Sequence, residues 1–281
     1  MSDRSPSLAS LFALNSNLRR IIAYALLMTA YSLLAVWKQY SGYADYVNVH
    51  STVHAILGLV VSMLLVFRTN GAYAKWWEAR SLWGTLINAS RNLALKGRHF
   101  VAATDEERRQ LANLLAVFAT TLRDHLRRIN DLKRVPGFED LPDDPLHPPS
   151  VVTSRIYAMI ESWRSRNLIS DQITRTFDTE ARILMEVCGG CEKILNTRLA
   201  VSYRVFVNKC VFLYVLTLPW GLVEDFLVWT IPMVFVVSFF LIGLEIVAYS
   251  VESPFGHEAD DLDLDGMCTT IQRSVNEILC K

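Results

Sequence analysis

The strongest constraint on this chain is the grouping of its apolar residues into two pairs of runs separated by a long polar stretch. Ile21 to Trp37, IIAYALLMTAYSLLAVW, has no charged residue across seventeen positions, and Arg19 and Arg20 stand immediately before it. A bilayer-spanning helix needs about 20 mostly apolar residues, so this run with one flanking turn is sufficient. Val49 to Phe67 forms a second run, but it carries His50, Ser51, Thr52, His54 and Ser62 among its aliphatics. That polarity predicts a helix with one side facing something other than lipid. KQYSGYADY makes a short loop between the two. Downstream, Val205 to Leu218 is mostly apolar despite Asn208 and Lys209, and Phe226 to Tyr249 is apolar apart from Glu245. PWGLVED, 219–225, reads as the turn between them.

From Arg68 to Arg204 the character changes. Mixtures of leucine, alanine, arginine and glutamate at helical spacing predict long amphipathic helices over roughly 70–99, 104–130, 151–164 and 167–195. PGFEDLPDDPLHPPS, 136–150, is an irregular surface connection. The expected organisation is therefore an N-terminal segment 1–20, a first transmembrane hairpin 21–67, a helical domain in water 68–204, a second hairpin 205–249 and an acidic C-terminal segment 250–281. The fold class expected is all-α, with four transmembrane helices in two hairpins and a large cytoplasmic helical domain. A soluble all-α protein with buried hairpins is the alternative.

Composition agrees with that plan. The chain of 281 residues is 52 % hydrophobic and 20 % charged, against about 45–50 % and 25 % for a soluble average. A formal net charge of zero lends no support to nucleic-acid binding, which leaves a basic excess. The N-terminus has no basic stretch feeding an apolar run with a small-residue cleavage site, so no signal peptide is expected. Arg19 and Arg20 before the first run and Arg68, Lys75 and Arg80 after the second outweigh Lys38 in the first loop, and the second loop carries Glu224 and Asp225 without a base. The excess of positive charge on one side puts both termini and the middle domain in the cytoplasm of a multi-pass protein of the cell inner membrane.

LVFRTNGAYAKWWEARSLW, 65–83, joins the second run to the polar middle without a turn, so the helix leaves the bilayer there and continues. Tyr73, Trp76, Arg80 and Trp83 follow three- and four-residue spacing, which places them on one face; Trp77 and Glu78 lie between. Aromatic rings with a polar handle suit the interfacial layer, and plain packing between helices explains the same tryptophans.

FRTNGAYAKWWEARSLWGTLINASRNLA, together with CEKILNTRLAVSYR, LTLPWGLVED and VESPFGHEADDLDLD, resembles the bestrophin family, particularly its bacterial branch. The resemblance covers the chain from the first apolar run through the acidic stretch. It implies a homopentameric ion channel with a central pore formed by the second membrane helix and continued through the cytoplasmic domain. Carried over residue by residue, the apolar neck of the pore falls on Leu59, Met63 and Phe67, one helical turn apart, and rings of such side chains gate by dewetting. A second, cytoplasmic constriction falls on Phe177, which an ordinary core role explains as well. Met63 departs from the bulkier or branched residues usual in the neck. Arg198 replaces the proline of the family's NTP and restores a backbone donor where the chain re-enters the membrane.

Eukaryotic relatives bind calcium with consecutive acids after PFG. Here His257 and Ala259 interrupt that run, leaving Glu258, Asp260 and Asp261 as weak metal candidates, so calcium is disfavoured and no cofactor is expected. Cys188 and Cys191 form a C-x-x-C that is redox-active, half of a metal site, or a helix face of small residues; no second cysteine pair or histidine lies near it in sequence. Scattered histidines such as His99 and His125 read as solvated or helix-capping, not as a spaced metal set. No G-x-x-x-x-G-K-S/T, H-E-x-x-H or G-x-S-x-G occurs, which argues against an enzyme. The expected partners are four further copies of the chain, the lipid bilayer and permeant inorganic ions, chloride or sodium. The alternative function is a membrane-anchored scaffold or sensor that binds a partner through residues 70–195.

Overall fold

The computed structural model describes residues 16–42, 50–139, 141, 145–197, 201–258 and 260–280. Most of segment 1–20, much of the first hairpin loop, Arg198 and Ala259 lie outside the described residues. Every regular element among those described is helical: α1 Ser16–Gln39, α2 Ser51–His99, α3 Asp105–Leu126, α4 Pro148–Ser165, α5 Asp171–Asn196, α6 Val201–Phe226, α7 Thr230–Val251 and α8 Leu264–Cys280. The chain divides into two compact units, one of residues 1–74 and 199–252, the other of 75–198 and 253–281. Helix α2 belongs to both.

The first unit holds α1, the beginning of α2, α6 and α7. Among the described residues, three helical stretches are long and apolar enough to cross a membrane: Asn17–Gln39, Ser51–His99 and Ser202–Val251. The last is 50 residues long, about 75 Å at 1.5 Å per residue and more than twice a bilayer core of about 30 Å. It is interrupted by a 3-10 turn at Leu227–Trp229, where Leu227 takes φ 50°, and α6 and α7 pack against each other on either side. The reversal therefore falls later than the turn read at 219–225. Pro219 and Gly221 lie inside α6, because within an apolar helix bundle neighbouring groups absorb the hydrogen bond that proline removes, whereas the same residues in water mark a turn.

The core of this unit follows a four-residue period. Val207, Val211 and Val215 of α6 meet Val61 and Leu65 of α2. Gly58 of α2 allows the close approach of Tyr214: a Cβ there would lie 2.7 Å from the phenol oxygen. Helix α1 packs on α6 and α7, with Asn17 Nδ2 donating to Ser250 Oγ at 2.9 Å and Trp220 Nε1 donating to Tyr31 Oη at 2.7 Å.

The second unit holds the rest of α2 with α3, α4, α5 and α8. Its core gathers Trp83, Leu86 and Leu93 of α2, Leu111, Leu115, Phe118 and Leu122 of α3, Trp163 of α4, Phe177 and Leu184 of α5, and Ile271 and Val275 of α8. Helix α3 begins in a capping box, Glu107 N–H to Thr104 Oγ1 at 3.3 Å and Thr104 N–H to Glu107 Oε2 at 2.9 Å. Helix α4 begins at the two prolines Pro148 and Pro149, with His147 as its cap. Helix α8, inside what the sequence presents as an acidic segment, buries Leu264, Cys268, Ile271, Val275 and Leu279 on one face and packs on α3. Asp265 fixes its first turn by accepting from Arg123 at 2.7 Å and Arg127 at 3.0 Å.

Candidate functional site

In the first unit α2 presents two faces of opposite character. Leu59, Met63 and Phe67 are 74 %, 59 % and 58 % exposed, although all three are large and apolar. Residues four apart on an α-helix drift by only about 40°, so the three form one outward stripe. The polar residues Ser62 and Asn70 are exposed on α2 as well. The opposite face carries Val61, Leu65 and Arg68, all buried. Arg68 follows Phe67 directly, and about 100° of rotation takes it from the outward stripe to the core. There its guanidinium donates to Asn208 of α6 and pairs with Glu245 of α7. Arg68 Nε and Nη2 and Glu245 Oε2 find no hydrogen-bond partner among the described residues. His54, also buried on α2, stacks on Tyr214 with ring centroids 4.3 Å apart.

The residues of the junction motif do not share one environment. Trp83 is fully buried in the core of the second unit, and Trp76, half-buried, donates from Nε1 to the Asp260 carbonyl at 3.1 Å. Tyr73, Trp77 and Arg80 are exposed. A helix turns by about 300° over three residues, so 76 and 83 lie on a stripe displaced from 73 and 80; the single face read from the sequence is two. Glu78 pairs with Lys193 at 3.0 Å, and Lys75 donates to the Thr197 carbonyl at 2.7 Å.

Phe177 is fully buried, edge-on to Trp163 with centroids 5.8 Å apart. A side chain enclosed in its own chain's core does not project into a conduction path, so the core role replaces the constriction expected at Phe177. The three acidic candidates lie in the turn before α8. Asp261 accepts the Glu258 backbone N–H at 2.6 Å through Oδ2, burial pushes its carboxyl above the usual range despite that bond, and Asp260 contributes its carbonyl to Trp76.

A cluster that sequence spacing did not reveal lies in the second unit. Nε2 of His125, at the end of α3, and Nε2 of His147, capping α4, both meet Oε1 of Glu192 on α5, at 2.7 and 2.9 Å. Burial works to raise the Glu192 carboxyl, but the hydrogen bonds from His125 and His147 hold it below its ordinary value. Cys188 Sγ lies 3.8 Å from His147 Nε2, so a histidine does stand beside the C-x-x-C. Cys188 and Cys191 are buried free thiols. Burial pushes Cys188 up to about 12 and raises Cys191 further, the opposite of the thiolate that redox exchange needs.

An all-α chain with an apolar helical unit exposing grease on its outside, and a second helical unit with an ordinary core, is a membrane protein with a water-facing domain. Comparison with known proteins gives the family. The bacterial and fungal bestrophin protein family matches residues 1–277. A voltage-dependent anion channel-forming protein of Nostoc sp. is 31 % identical over 233 residues, 79 % of this chain and 76 % of that protein. One of the same description from Synechocystis sp. is 30 % identical over 273 residues, 92 % and 87 % of the two chains. The crystal structure of a tryptophan-to-alanine variant of a bacterial bestrophin homolog from Klebsiella pneumoniae superposes with a TM-score of 0.88 at 27 % identity, covering 95 % of this chain and 99 % of that one. The chain belongs to the bestrophin family, bacterial branch, and its relatives are channel-forming proteins, not enzymes.

Proposed function

We propose that the protein is a homopentameric channel that passes small anions across the cell inner membrane through a central pore, with Leu59, Met63 and Phe67 as its neck. The observation that carries this reading is the outward stripe of α2, where these three large apolar side chains stand exposed at one-turn intervals on a helix that also exposes Ser62 and Asn70. Five copies arranged about an axis turn each of the three positions into a ring, and rings of apolar side chains control permeation by dewetting. In this reading α1, the beginning of α2, α6 and α7 are four membrane crossings in two hairpins, and both termini and the second unit lie in the cytoplasm.

Anion preference is supported by the charges near residue 70. Arg68 is withdrawn into its pair with Glu245 and Glu78 is neutralised by Lys193, while Arg80 is exposed on the continuing helix. The two relatives above are described as anion channel-forming, in the same direction. Calcium at Glu258, Asp260 and Asp261 has no part in this reading.

The test is the reversal potential of the purified protein in planar bilayers under asymmetric sodium chloride, with and without a calcium chelator. The expected result is a reversal displaced toward the chloride equilibrium potential, unchanged by the chelator, with altered conductance in Phe67→Ala. A reversal toward the sodium value would overturn the sign of selectivity. Silence of folded, inserted protein in several lipids would overturn the channel and leave the scaffold or sensor function.

A further inference from the structure

His125, His147 and Glu192 come from three elements of the second unit, and their donor atoms lie within 4.8 Å of one another. The two imidazoles stand at 60° with centroids 4.9 Å apart, and both direct Nε2 to one carboxylate oxygen, Glu192 Oε1. The two ring nitrogens and the carboxylate oxygen thus share one small volume, and an ion with bonds of about 2.0–2.2 Å to nitrogen and oxygen would sit between them in place of the two hydrogen bonds. Cys188 precedes Glu192 by one turn of α5, and its sulfur faces His147 at 3.8 Å. None of the three ligand side chains is sealed from water: they are 22 %, 32 % and 29 % exposed for His125, His147 and Glu192.

We propose that His125, His147 and Glu192 form a binding site for a divalent transition-metal ion of the zinc class, with water as the fourth donor. Two imidazoles and one carboxylate are a donor set that suits zinc, while calcium and magnesium require a shell of oxygens. The outer contacts fit this assignment. Ser150 Oγ lies 2.6 Å from His147 Nδ1, so when Nε2 binds the ion the ring carries its proton on Nδ1 and that N–H donates to the serine hydroxyl oxygen. The Ser150 backbone N–H, which otherwise donates to that nitrogen, keeps the His147 carbonyl at 3.1 Å. The ion would tie the end of α3, the start of α4 and the last turns of α5 together without touching Leu59, Met63 or Phe67, so the site stands or falls independently of the pore.

The experiment uses the full chain in detergent with any affinity tag removed, stripped with a chelator and titrated with zinc(II) by calorimetry, with bound metal per chain counted by atomic absorption. We expect one zinc per chain and a rise in thermal midpoint on binding. Glu192→Gln and His147→Gln, which keep shape and hydrogen bonding, should each lose at least about 100-fold in affinity, since even an outer partner of a metal ligand is worth ~10–100-fold. Cobalt(II) in place of zinc reports the donors directly: ligand-field bands that are lost in His147→Gln and unchanged in Cys188→Ser place nitrogen and oxygen donors, and no sulfur, on the metal. Undiminished zinc affinity in a folded His125→Ala/Glu192→Gln double variant, or no binding below millimolar zinc in the native chain, overturns the site. A cobalt spectrum dominated by a thiolate charge-transfer band overturns the assigned donor set.

Discussion

The two units use the same kinds of residue in opposite senses. The second encloses Trp83, Phe118, Trp163 and Phe177 and leaves ion pairs such as Glu161–Arg164 and Arg182–Glu186 on its surface. The first exposes Leu27, Trp37, Leu59, Phe212, Leu213 and Phe240, and buries Ser32, His54, Arg68, Thr230 and Ser238. In water the apolar groups must be hidden. In lipid they need not be, and the polar groups become the ones that require neighbours. The difference teaches that burial alone does not identify a core: among the described residues of the first unit the largest fully buried side chain is an arginine.

Arg68→Ala should break this contrast most severely. Removing one partner of a buried pair leaves Glu245 uncompensated, at a cost of about 3–5 kcal/mol, which is read as a drop in the thermal midpoint and loss of the native elution profile in detergent. A joint replacement of Arg68 and Glu245 by methionine and leucine should recover most of that loss; if it does not, the pair specifies the packing and does more than neutralise itself. Leu213→Arg, on the exposed face of α6, should cost about 2.5–3.5 kcal/mol in membrane insertion if that face meets lipid, while Arg182→Leu, a comparable exchange on the second unit, should stay within about 0.5 kcal/mol. Thr104→Ala, which removes half of the α3 capping box, should lower stability by about 1 kcal/mol, with Thr104→Ser restoring it.

The smallest effect expected is one of pH. Burial works to raise the Asp265 carboxyl, but Arg127 and Arg123 together hold it below its ordinary value. A carboxyl depressed in the folded state contributes stability above its unfolded value, near 3.9, and loses it as the pH falls through the folded value. Asp265→Asn should therefore flatten the acid limb of the unfolding profile below about pH 4 and leave the neutral limb slightly lower; an unchanged acid limb would show that α8 is held by its apolar face alone.

Most of the helical plan was legible in the sequence, because charge-free runs and heptad-like mixtures are local signals: 104–130 and 167–195 fall on α3 and α5, and 65–83 does continue without a break. What escaped was non-local or depended on solvent. Pro219 and Gly221 would end a helix in water and do not end α6. The period of Leu264, Cys268, Ile271, Val275 and Leu279 was present but lay behind DDLDLD, whose acids suggested a solvated segment. His125, His147 and Glu192 stand 67 and 45 residues apart along the chain measured to Glu192, far beyond any motif spacing, so only the packing of three elements brings them together. The exposed stripe of α2 was found through spacing and resemblance, whereas the enclosure of Phe177 needed the surroundings of α5.

The interleaving of the two units also sets an order in time. The first unit takes its helices from both sides of residues 75–198, and the second is completed by α8, which follows α6 and α7 in the chain. At synthesis rates of about 5–20 residues per second, the face of α3 that receives α8 waits uncovered for roughly 7–30 seconds while the helices ahead of α8, the apolar ones included, are being made. The nascent protein must therefore carry an open hydrophobic seam through its membrane insertion, a window in which chaperones, premature termination or a neighbouring nascent copy can decide its fate before any folded-state property does.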